Sequence, residues 1–209
     1  MSDSIDFNHI ISYFGEKLET FGATPRGADW NSEASQEIRF EQLLKVCSSD
    51  REFSINDYGC GWGALIHTLN KKGYRYQYVG FDILEPMVTQ ARELFKDHPN
   101  CTFTTQEADL PVADYTVASG IFNIRLQYSY EVWTDYSLQV LHKMDKMSSR
   151  GFSFNMLTKY SDADHMRADL YYADPCFIFD YCKTHFARNV ALLHDYGLYD
   201  FTVIVRKQL

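Results

Sequence analysis

The stretch INDYGCGWGAL, residues 55–65, decides the fold, because a β-rich run here enters a glycine turn and then a helical pattern. A strand, a glycine turn and a helix in succession form the first unit of a parallel α/β sheet. The turn itself has two interpretations. From residue 59 it fits the G-x-G-x-x-A fingerprint of dinucleotide sites. From residue 57 it is a D-x-G-x-G-x-G turn, in which an acidic residue ends the strand.

The same alternation continues along the chain. It predicts a parallel sheet with helices on both faces. Two β-rich runs near the end, joined by a tight link, predict an antiparallel hairpin at the sheet edge. The predicted strands cover residues 52–58, 76–83, 101–106, 115–122 and 151–157, and the hairpin covers 189–196 and 200–207.

Length and patterning predict a single domain over residues 1–209. Residues 1–48 are expected to form a helical segment, interrupted by a loop at 22–30 and resumed after an N-cap at Ser32. Residues 158–188 interrupt the regular alternation. They are rich in tyrosine and contain a helix start at Asp174. We expect this stretch to be a helical insert that covers the carboxyl edge of the sheet, over the active site.

Composition limits the possible partners. The net charge is −8 with scattered basic residues, which disfavours a nucleic acid because phosphate binding needs a basic face. Five cysteines without a C-x-x-C pair suggest neither a disulfide framework nor a zinc cluster. No signal peptide is recognisable, and no apolar run approaches the ~20 residues of a membrane span. These features predict a cytoplasmic protein without a nucleic-acid or membrane partner, and they leave its oligomeric state unknown.

Two carboxylates are expected beside the glycine turn. Asp57 ends the first strand, and Asp82, in VGFDI, ends the second. Ligands of doubly wound sheets bind beyond the carboxyl ends of the strands, where a carboxylate can hold both hydroxyls of a ribose. A carboxylate at Asp57 would repel a pyrophosphate but suits a ligand that carries an ammonium group. Together with Gly63, Asp57 therefore favours the second interpretation of the turn.

These motifs resemble the class I S-adenosylmethionine-dependent methyltransferases. DYGCGWG resembles motif I of that family and FDI its ribose-binding acid. QEADLPV resembles the stretch whose acid, here Asp109, reaches the adenine amino group, and ASGIFN resembles the fourth-strand motif that lines the methyl donor. The resemblance covers about residues 50–209. It implies a Rossmann-like doubly wound sheet of seven strands with an antiparallel last strand, and S-adenosylmethionine as the cofactor.

The resemblance also implies a set of cofactor-binding residues. Family members often place further contacts in a helix before motif I, and DWNSEASQEIRF is that helix here. Its Arg39 is expected to meet the methionine carboxylate, with a surface position as the alternative. The expected cofactor-binding residues are Gln36, Arg39, Asp57, Gly59, Cys60, Gly61, Gly63, Asp82, Ile83, Met87, Asp109, Leu110, Ser119, Gly120 and Ile121.

Four residues are candidates for the acceptor side. Asn123 is expected to hydrogen-bond substrate or methyl donor. Arg125 is expected to bind an anionic group, with a structural ion pair as the equal alternative. His194 is the first candidate for a general base and His165, in the insert, the second. An acceptor of low pKa needs no base.

Methyl transfer to an oxygen or nitrogen of a small molecule is therefore the predicted reaction. The overall pattern, including FDYCKTHFARNVALLHDYGLYDFTVIVRK at 179–207, resembles bacterial enzymes near glycan or secondary-metabolite pathways. An NAD-dependent oxidoreductase is one alternative, although Asp57 with Gly63 and the lack of a suitable Tyr-x-x-x-Lys pair disfavour it. A non-catalytic S-adenosylmethionine-binding module is another. A magnesium ion at Asp162, Asp164 and His165 is disfavoured, because these residues fall in the insert rather than at the fourth-strand end, so no metal is predicted.

Overall fold

A computed structural model describes residues 5–22, 24–28, 32–47 and 52–207. Six α-helices and eight β-strands lie in these residues, joined by short 3-10 turns. The helices are α1 (Phe7–Phe21), α2 (Glu33–Leu43), α3 (Leu65–Lys71), α4 (Glu85–Leu94), α5 (Tyr130–Lys146) and α6 (Pro175–His185). The strands are β1 (Phe53–Tyr58), β2 (Tyr76–Phe81), β3 (Cys101–Thr104), β4 (Ala113–Ala118), β5 (Ser148–Thr158), β6 (Tyr172–Ala173), β7 (Asn189–Leu193) and β8 (Asp200–Arg206).

The strands form one sheet in the order β3-β2-β1-β4-β5-β8-β7, and the short β6 pairs with the end of β5. Strands β1 to β5 are parallel, whereas β8 is antiparallel to both of its neighbours. The chain reverses its direction of travel across the sheet between β1 and β4, which creates a topological switch point. The predicted Rossmann-like fold with an antiparallel last strand is confirmed, and β6 is an addition to its seven strands.

Two apolar cores lie on the sheet and explain why its strands are buried. One contains Trp133 of α5, Phe154 of β5 and Ile178 of α6. The other contains Leu43 of α2 and Leu69 of α3. Parallel sheets are typically covered by helices on both faces, so most of their strand residues are apolar. Within the described ranges, no helix is both long and apolar enough to cross a bilayer.

Side-chain caps set several helix starts. The Ser32 hydroxyl accepts a hydrogen bond from the backbone N–H of Ser35, at 3.1 Å. The Asp174 carboxylate accepts from the N–H groups of Cys176 and Phe177, and a proline follows it. Such caps satisfy N–H groups that lack a partner inside the helix. Both predicted helix starts are confirmed. Part of the predicted loop 22–30 lies outside the described residues.

The segment 158–188 divides into two parts in the structure. Its helix, α6, buries Ile178 and Cys182 in the same core as α5, so α6 crosses over one face of the sheet between β5 and β7. The preceding stretch, 159–173, contains a 3-10 turn and β6, which pairs with Leu157 and Thr158 at the carboxyl end of β5. The part at the carboxyl edge is thus an irregular loop, and the helical part lies on the sheet face.

A buried ion pair fixes α2 to the sheet. Nη2 of Arg39 lies 2.5 Å from Oδ2 of Asp200 at the start of β8, and the Asp200 side chain is fully buried. Burial raises the pKa of Asp200, and Arg39 opposes that shift. The pair connects residues 161 positions apart. It therefore sets the position of the helix that carries Gln36 and Phe40.

We expect Arg39→Met to lower the free energy of unfolding by about 3–5 kcal/mol, because it leaves a buried carboxylate without its cation. Urea unfolding followed by circular dichroism measures the change. The exposed pair Lys96–Glu93 provides the control, since Lys96→Met should change stability by less than about 1 kcal/mol. Equal effects of the two substitutions would contradict the structural role of Arg39.

Candidate functional site

The glycine turn after β1 is hydrogen-bonded to the end of β2. The N–H groups of Gly59 and Cys60 donate to the carbonyl of Phe81, at 2.8 and 2.9 Å. The N–H of Gly61 donates to Oδ2 of Asp82 at 2.8 Å, and the N–H of Leu84 donates to Oδ1 at 3.0 Å. Both carboxylate oxygens are therefore oriented by the backbone. Asp82 remains partly exposed, toward a cavity above the turn.

Two glycines are required by the shape of this turn. Gly59 has φ +82°, and a Cβ there would lie 2.2 Å from Cγ2 of Ile121. Gly61 has φ +55°, and a Cβ there would meet no atom within 4 Å. Positive φ is costly for residues with a side chain. Gly59 allows the ends of β1 and β4 to pack closely. The absence of a side chain at Gly61 leaves open space that is part of the cavity.

A cavity of about 420 Å³ lies beyond the carboxyl ends of β1, β2 and β4, at the switch point. The volume falls in the range of about 300–1,000 Å³ that is typical of small-molecule sites. Its lining is Phe7, Ile10, Phe14, Gln36, Phe40, Asp57, Tyr58, Gly59, Cys60, Gly61, Trp62, Ala64, Phe81, Asp82, Ile83, Leu84, Met87, Thr105, Glu107, Ser119, Gly120, Ile121, Asn123, Ile124, Tyr136 and Lys143.

The amino-terminal helix α1 covers one side of the cavity. Its Phe7, Ile10 and Phe14, spaced along one helical face, belong to the lining. The helix start is held by Tyr128, whose hydroxyl accepts from the N–H of Asp6 at 2.7 Å and donates to its carbonyl at 3.1 Å. Apolar side chains thus close the cavity above the sheet.

Asp57 is a buried carboxyl at the cavity wall. Only 3% of the residue is exposed, and its Oδ2 accepts a hydrogen bond from the Tyr78 hydroxyl at 2.8 Å. Burial raises the pKa of Asp57 from 3.8 to about 7; the Tyr78 hydrogen bond opposes the shift and the nearby Asp82 adds to it. A cation brought into the cavity would favour the ionised form.

A polar group of residues lies on the α5 side of the cavity. The Glu107 carboxylate, after β3, accepts from Nζ of Lys143 on α5 at 2.8 Å. The Tyr58 hydroxyl interacts with the same carboxylate, and Tyr136 lies close to both. Burial raises the pKa of both tyrosines, so they are neutral hydrogen-bonding groups. The wall around them is apolar.

The structure brings most of the expected cofactor-binding residues to this cavity. They come from α2, from the glycine turn, from the residues after β2 and from the loop after β4. Those in the lining are Gln36, Asp57, Gly59, Cys60, Gly61, Asp82, Ile83, Met87, Ser119, Gly120 and Ile121.

Four expected cofactor-binding residues lie outside the lining. Arg39 pairs with Asp200 instead of facing the cavity. Gly63 turns toward the core, where a Cβ would lie 2.9 Å from Phe95. Asp109 accepts from the Thr104 hydroxyl at 2.8 Å, and Leu110 packs against the apolar core.

Of the acceptor-side candidates, only Asn123 lines the cavity. Arg125 donates to the carbonyls of Leu170, Tyr128 and Ala168, so its guanidinium holds the loop after β4 to the loop before β6. His194 is exposed in the link after β7, between the rings of Tyr160 and Phe201. The link runs from residue 194 to 199, longer than predicted, because β7 ends at Leu193.

The second histidine candidate is also distant from the lining. His165 is exposed in a 3-10 turn, where its ring lies 5.5 Å from that of Tyr199. Asp162 accepts from the Tyr199 hydroxyl. In the parts of the chain that the structure describes, no group of three or more His, Cys, Asp or Glu residues could hold a metal ion.

Several lining residues were missed at the sequence level, although signals for them exist. Glu107 is the first acid after the end of β3, two positions before the residue chosen. Tyr136 and Lys143 are seven residues apart on α5 and therefore share a face. Phe7, Ile10 and Phe14 follow the same helical spacing on α1. Tyr58 follows Asp57 and therefore points to the opposite side of β1.

Comparison with known proteins assigns the class. A family model described as "Methyltransferase domain" matches residues 55–151. The Mycobacterium tuberculosis protein Rv1506c, whose name assigns it provisionally to the methyltransferases, is 48% identical over 164 residues, 78% of this chain and 99% of that relative. With the fold and the glycine-turn site, these matches show that the chain belongs to the class I S-adenosylmethionine-dependent methyltransferases.

Solved structures share the fold at low sequence identity. Magnesium protoporphyrin IX methyltransferase from Synechocystis, solved with bound S-adenosylmethionine, has a TM-score of 0.64 and 18% identity over the whole of both chains. The N-methyltransferase NodS from Bradyrhizobium japonicum, solved with S-adenosylhomocysteine, has a TM-score of 0.65 and 14% identity over 95% of this chain and 98% of its own. At these identities the likeness supports the fold.

We expect Asp57→Asn to stabilise the ligand-free protein above pH 7 by roughly 2–4 kcal/mol. The carboxyl keeps its proton up to about pH 7 when folded, but only to about 3.8 when unfolded. Wild-type stability therefore falls, relative to the variant, as pH rises through this window, and the pH-dependent part of the difference vanishes below it. Urea unfolding at a series of pH values measures this.

The exposed Asp97 gives the control for that series, because Asp97→Asn removes a carboxylate without removing a buried charge. It should show little pH-dependent gain. A wild-type and Asp57→Asn difference that stays constant from pH 4 to pH 8 would show that Asp57 ionises normally in the folded protein.

Proposed function

We propose that this protein transfers the methyl group of S-adenosylmethionine to a small-molecule acceptor within the cavity. The main support is that one cavity runs from Asp82, after β2, past the glycine turn after β1, to Asn123, beyond β4. Such a path accommodates an extended methyl donor along the strand ends and leaves room beside β4 for an acceptor. The cavity volume and its apolar cover on α1 favour a small acceptor.

The ribose of the methyl donor is assigned to Asp82. Each of its carboxylate oxygens already accepts one backbone N–H, and each retains capacity for a second hydrogen bond. Two oxygens held side by side match the two adjacent hydroxyls of a ribose. The backbone bonds fix their orientation before the ligand arrives.

The methionine end is assigned to the space above Gly61 and to Gln36. A Cβ on Gly61 would point into open space, so the glycine leaves room for a ligand to approach the backbone. Gln36 is 6% exposed, and its side-chain amide has no hydrogen-bond partner among the described residues. Its amide atoms are not among the fully buried, unsatisfied atoms of the described residues, so the amide is accessible to a ligand in the cavity. The α-carboxylate of the methionine is a suitable partner.

The adenine is assigned to Ile83, Leu84, Met87 and Glu107, at the β2–β3 side of the cavity. Apolar side chains suit the faces of a purine. The Glu107 carboxylate can accept a hydrogen bond from the adenine amino group. This assignment replaces Asp109, whose carboxylate is bound to Thr104 outside the lining.

S-adenosylmethionine supplies an activated methyl group when bound. The chain contributes orientation and the exclusion of water, which are the main requirements of an in-line displacement. Phe7, Ile10 and Phe14 of α1 form the apolar cover, and Tyr128 holds the start of that helix. A binding module without catalysis would share the methyl-donor contacts but would give no turnover with any acceptor.

Calorimetric titration with S-adenosylhomocysteine, with NAD as the comparison ligand, tests the proposal. We expect micromolar binding of S-adenosylhomocysteine and no response to NAD. Gly61→Val should abolish that binding, because its side chain fills the methyl-donor space. NAD binding, or no S-adenosylhomocysteine binding to wild type, would overturn the proposed function.

Gly73→Val is the matched control for this titration. Gly73 has φ +69° and open space around it, as Gly61 does, but it follows α3 outside the lining. Both substitutions carry the same backbone strain of about 1–2 kcal/mol. Retained binding in Gly73→Val shows that ligand loss in Gly61→Val comes from the cavity rather than from destabilisation.

A second pair of variants tests the adenine assignment. Glu107→Gln should weaken S-adenosylhomocysteine binding by about 1–2 kcal/mol, because it replaces a carboxylate acceptor by an amide. Asp109→Asn, two residues away, should change the affinity little. The reverse order of effects would return the role to Asp109.

A further inference from the structure

We propose that the acceptor is an ionised oxygen acid, such as a carboxylate or an acidic enol, and that Asn123 binds the reacting oxygen through its Nδ2–H group. The inference rests on the proposed function, because it concerns the part of the same cavity that the methyl donor leaves free. It selects between oxygen and nitrogen acceptors.

The orientation of Asn123 is fixed by three hydrogen bonds. Its N–H donates to the carbonyl of Gly120 at 3.2 Å, and its carbonyl accepts from the N–H of Tyr171 at 2.8 Å. Its Oδ1 accepts from the N–H of Leu157, at the end of β5, at 3.3 Å. The first two bonds hold the backbone of Asn123, and the third orients its side-chain amide, because the Leu157 N–H requires an oxygen acceptor.

This arrangement leaves Nδ2 available to a ligand. Asn123 is 8% exposed and lines the cavity, and its Nδ2 has no hydrogen-bond partner among the described residues. An NH₂ group donates and does not accept. The Nδ2 group of Asn123 therefore offers a hydrogen bond to an oxygen, and it offers none to the N–H groups of an ammonium or amide.

The strand order places Asn123 at the acceptor end. In the order β2-β1-β4-β5, the proposed ribose site follows β2 and the glycine turn follows β1. Asn123 lies beyond β4 and contacts the end of β5, so it is on the far side of the turn from Asp82. A ligand that extends from Asp82 across the turn reaches Asn123 last.

The groups that titrate around the cavity favour an acceptor that needs no base. The described lining contains no histidine. Its carboxylates belong to Asp57 and Asp82, beside the β1 and β2 ends, and to Glu107, which pairs with Lys143 after β3. The residues lining the β4 end, from Ser119 to Ile124, carry neither acid nor base. Among the residues at the β4 end, an amine or alcohol would find no acid or base to take its proton.

An ionised oxygen acid satisfies the chemistry without proton transfer. A lone pair of the oxygen forms the bond to the methyl carbon, the carbon–sulfur bond breaks, and its electron pair stays on sulfur. An anion and a sulfonium cation give a neutral ester or ether and a neutral thioether. Because charge disappears as the reaction proceeds, the apolar walls from Ile121, Ile124 and α1 favour the transition state over the separated charges.

The test uses the 209-residue chain saturated with S-adenosylhomocysteine, together with two matched probes, phenylacetate and 2-phenylethylamine. Titration of ¹⁵N-labelled protein follows the Asn123 side-chain NH₂ signals, assigned by their loss in Asn123→Asp. We expect phenylacetate to bind and shift these signals, and the amine to bind at least ~10-fold more weakly. Stronger amine binding, or the absence of carboxylate binding up to the solubility limit, would overturn the inference.

The Asn123→Asp variant should reverse the preference between the carboxylate and the amine. An aspartate keeps an oxygen for the Leu157 N–H but replaces the outward NH₂ by a second carboxylate oxygen. With the S-adenosylhomocysteine complex of this variant, the preference should change from phenylacetate to the amine. His194→Asn, an exposed substitution outside the lining, should retain the wild-type preference. An unchanged preference in Asn123→Asp would remove Asn123 from acceptor binding.

The two levels of the proposal fail differently. Loss of S-adenosylhomocysteine binding in the wild type would remove the proposed function itself. Normal S-adenosylhomocysteine binding with an amine preference would leave methyl transfer in place and assign the acceptor to the nitrogen class.

Discussion

The whole site depends on the hydrogen bonds between the glycine turn and the end of β2. Three consecutive N–H groups, from Gly59 to Gly61, donate to the Phe81 carbonyl and the Asp82 carboxylate. These bonds fix the turn beside the end of β2, and the Gly61 bond, together with that from the Leu84 N–H, orients the two Asp82 oxygens. Because the strand ends sit beside the switch point, the same bonds also define the cavity floor. Helices α1, α2 and α5 then only need to close its sides.

The fold was predictable because its determinants are local. Strand–helix alternation, the glycine turn and caps such as Ser32 each require only a few neighbouring residues. Contacts between segments that are far apart in the sequence could not be predicted in the same way. The loop between β5 and α6 forms β6 only because it meets the end of β5, and α6 lies on the sheet face because Ile178 and Cys182 find a core there.

The candidate site divides along the same line. Residues on the turn and strand ends, such as Asp82 and Gly120, follow directly from the topology. The positions of side chains with several possible partners cannot be predicted from the topology. Arg39 was expected to bind a ligand carboxylate, but Asp200, 161 residues away, offers a buried one. Arg125, expected to bind an anionic group, instead donates hydrogen bonds to three backbone carbonyls. A sequence shows that such a cation needs an anion or acceptors, but only the packed structure shows which.

Three buried polar groups explain why the site suits a charged ligand. Burial of Asp57 disfavours ionisation of its carboxyl, while the Gln36 amide and the Nδ2 group of Asn123 have no hydrogen-bond partner among the described residues. Ionisation of the buried Asp57 carboxyl lowers the stability of the ligand-free fold, whereas the two amides open onto the cavity and are accessible to a ligand. A ligand that brings an ammonium group, a carboxylate and a nucleophilic oxygen would satisfy all three. The methyl donor and an anionic acceptor together have this composition, so binding both should tighten the fold as well as align the reaction.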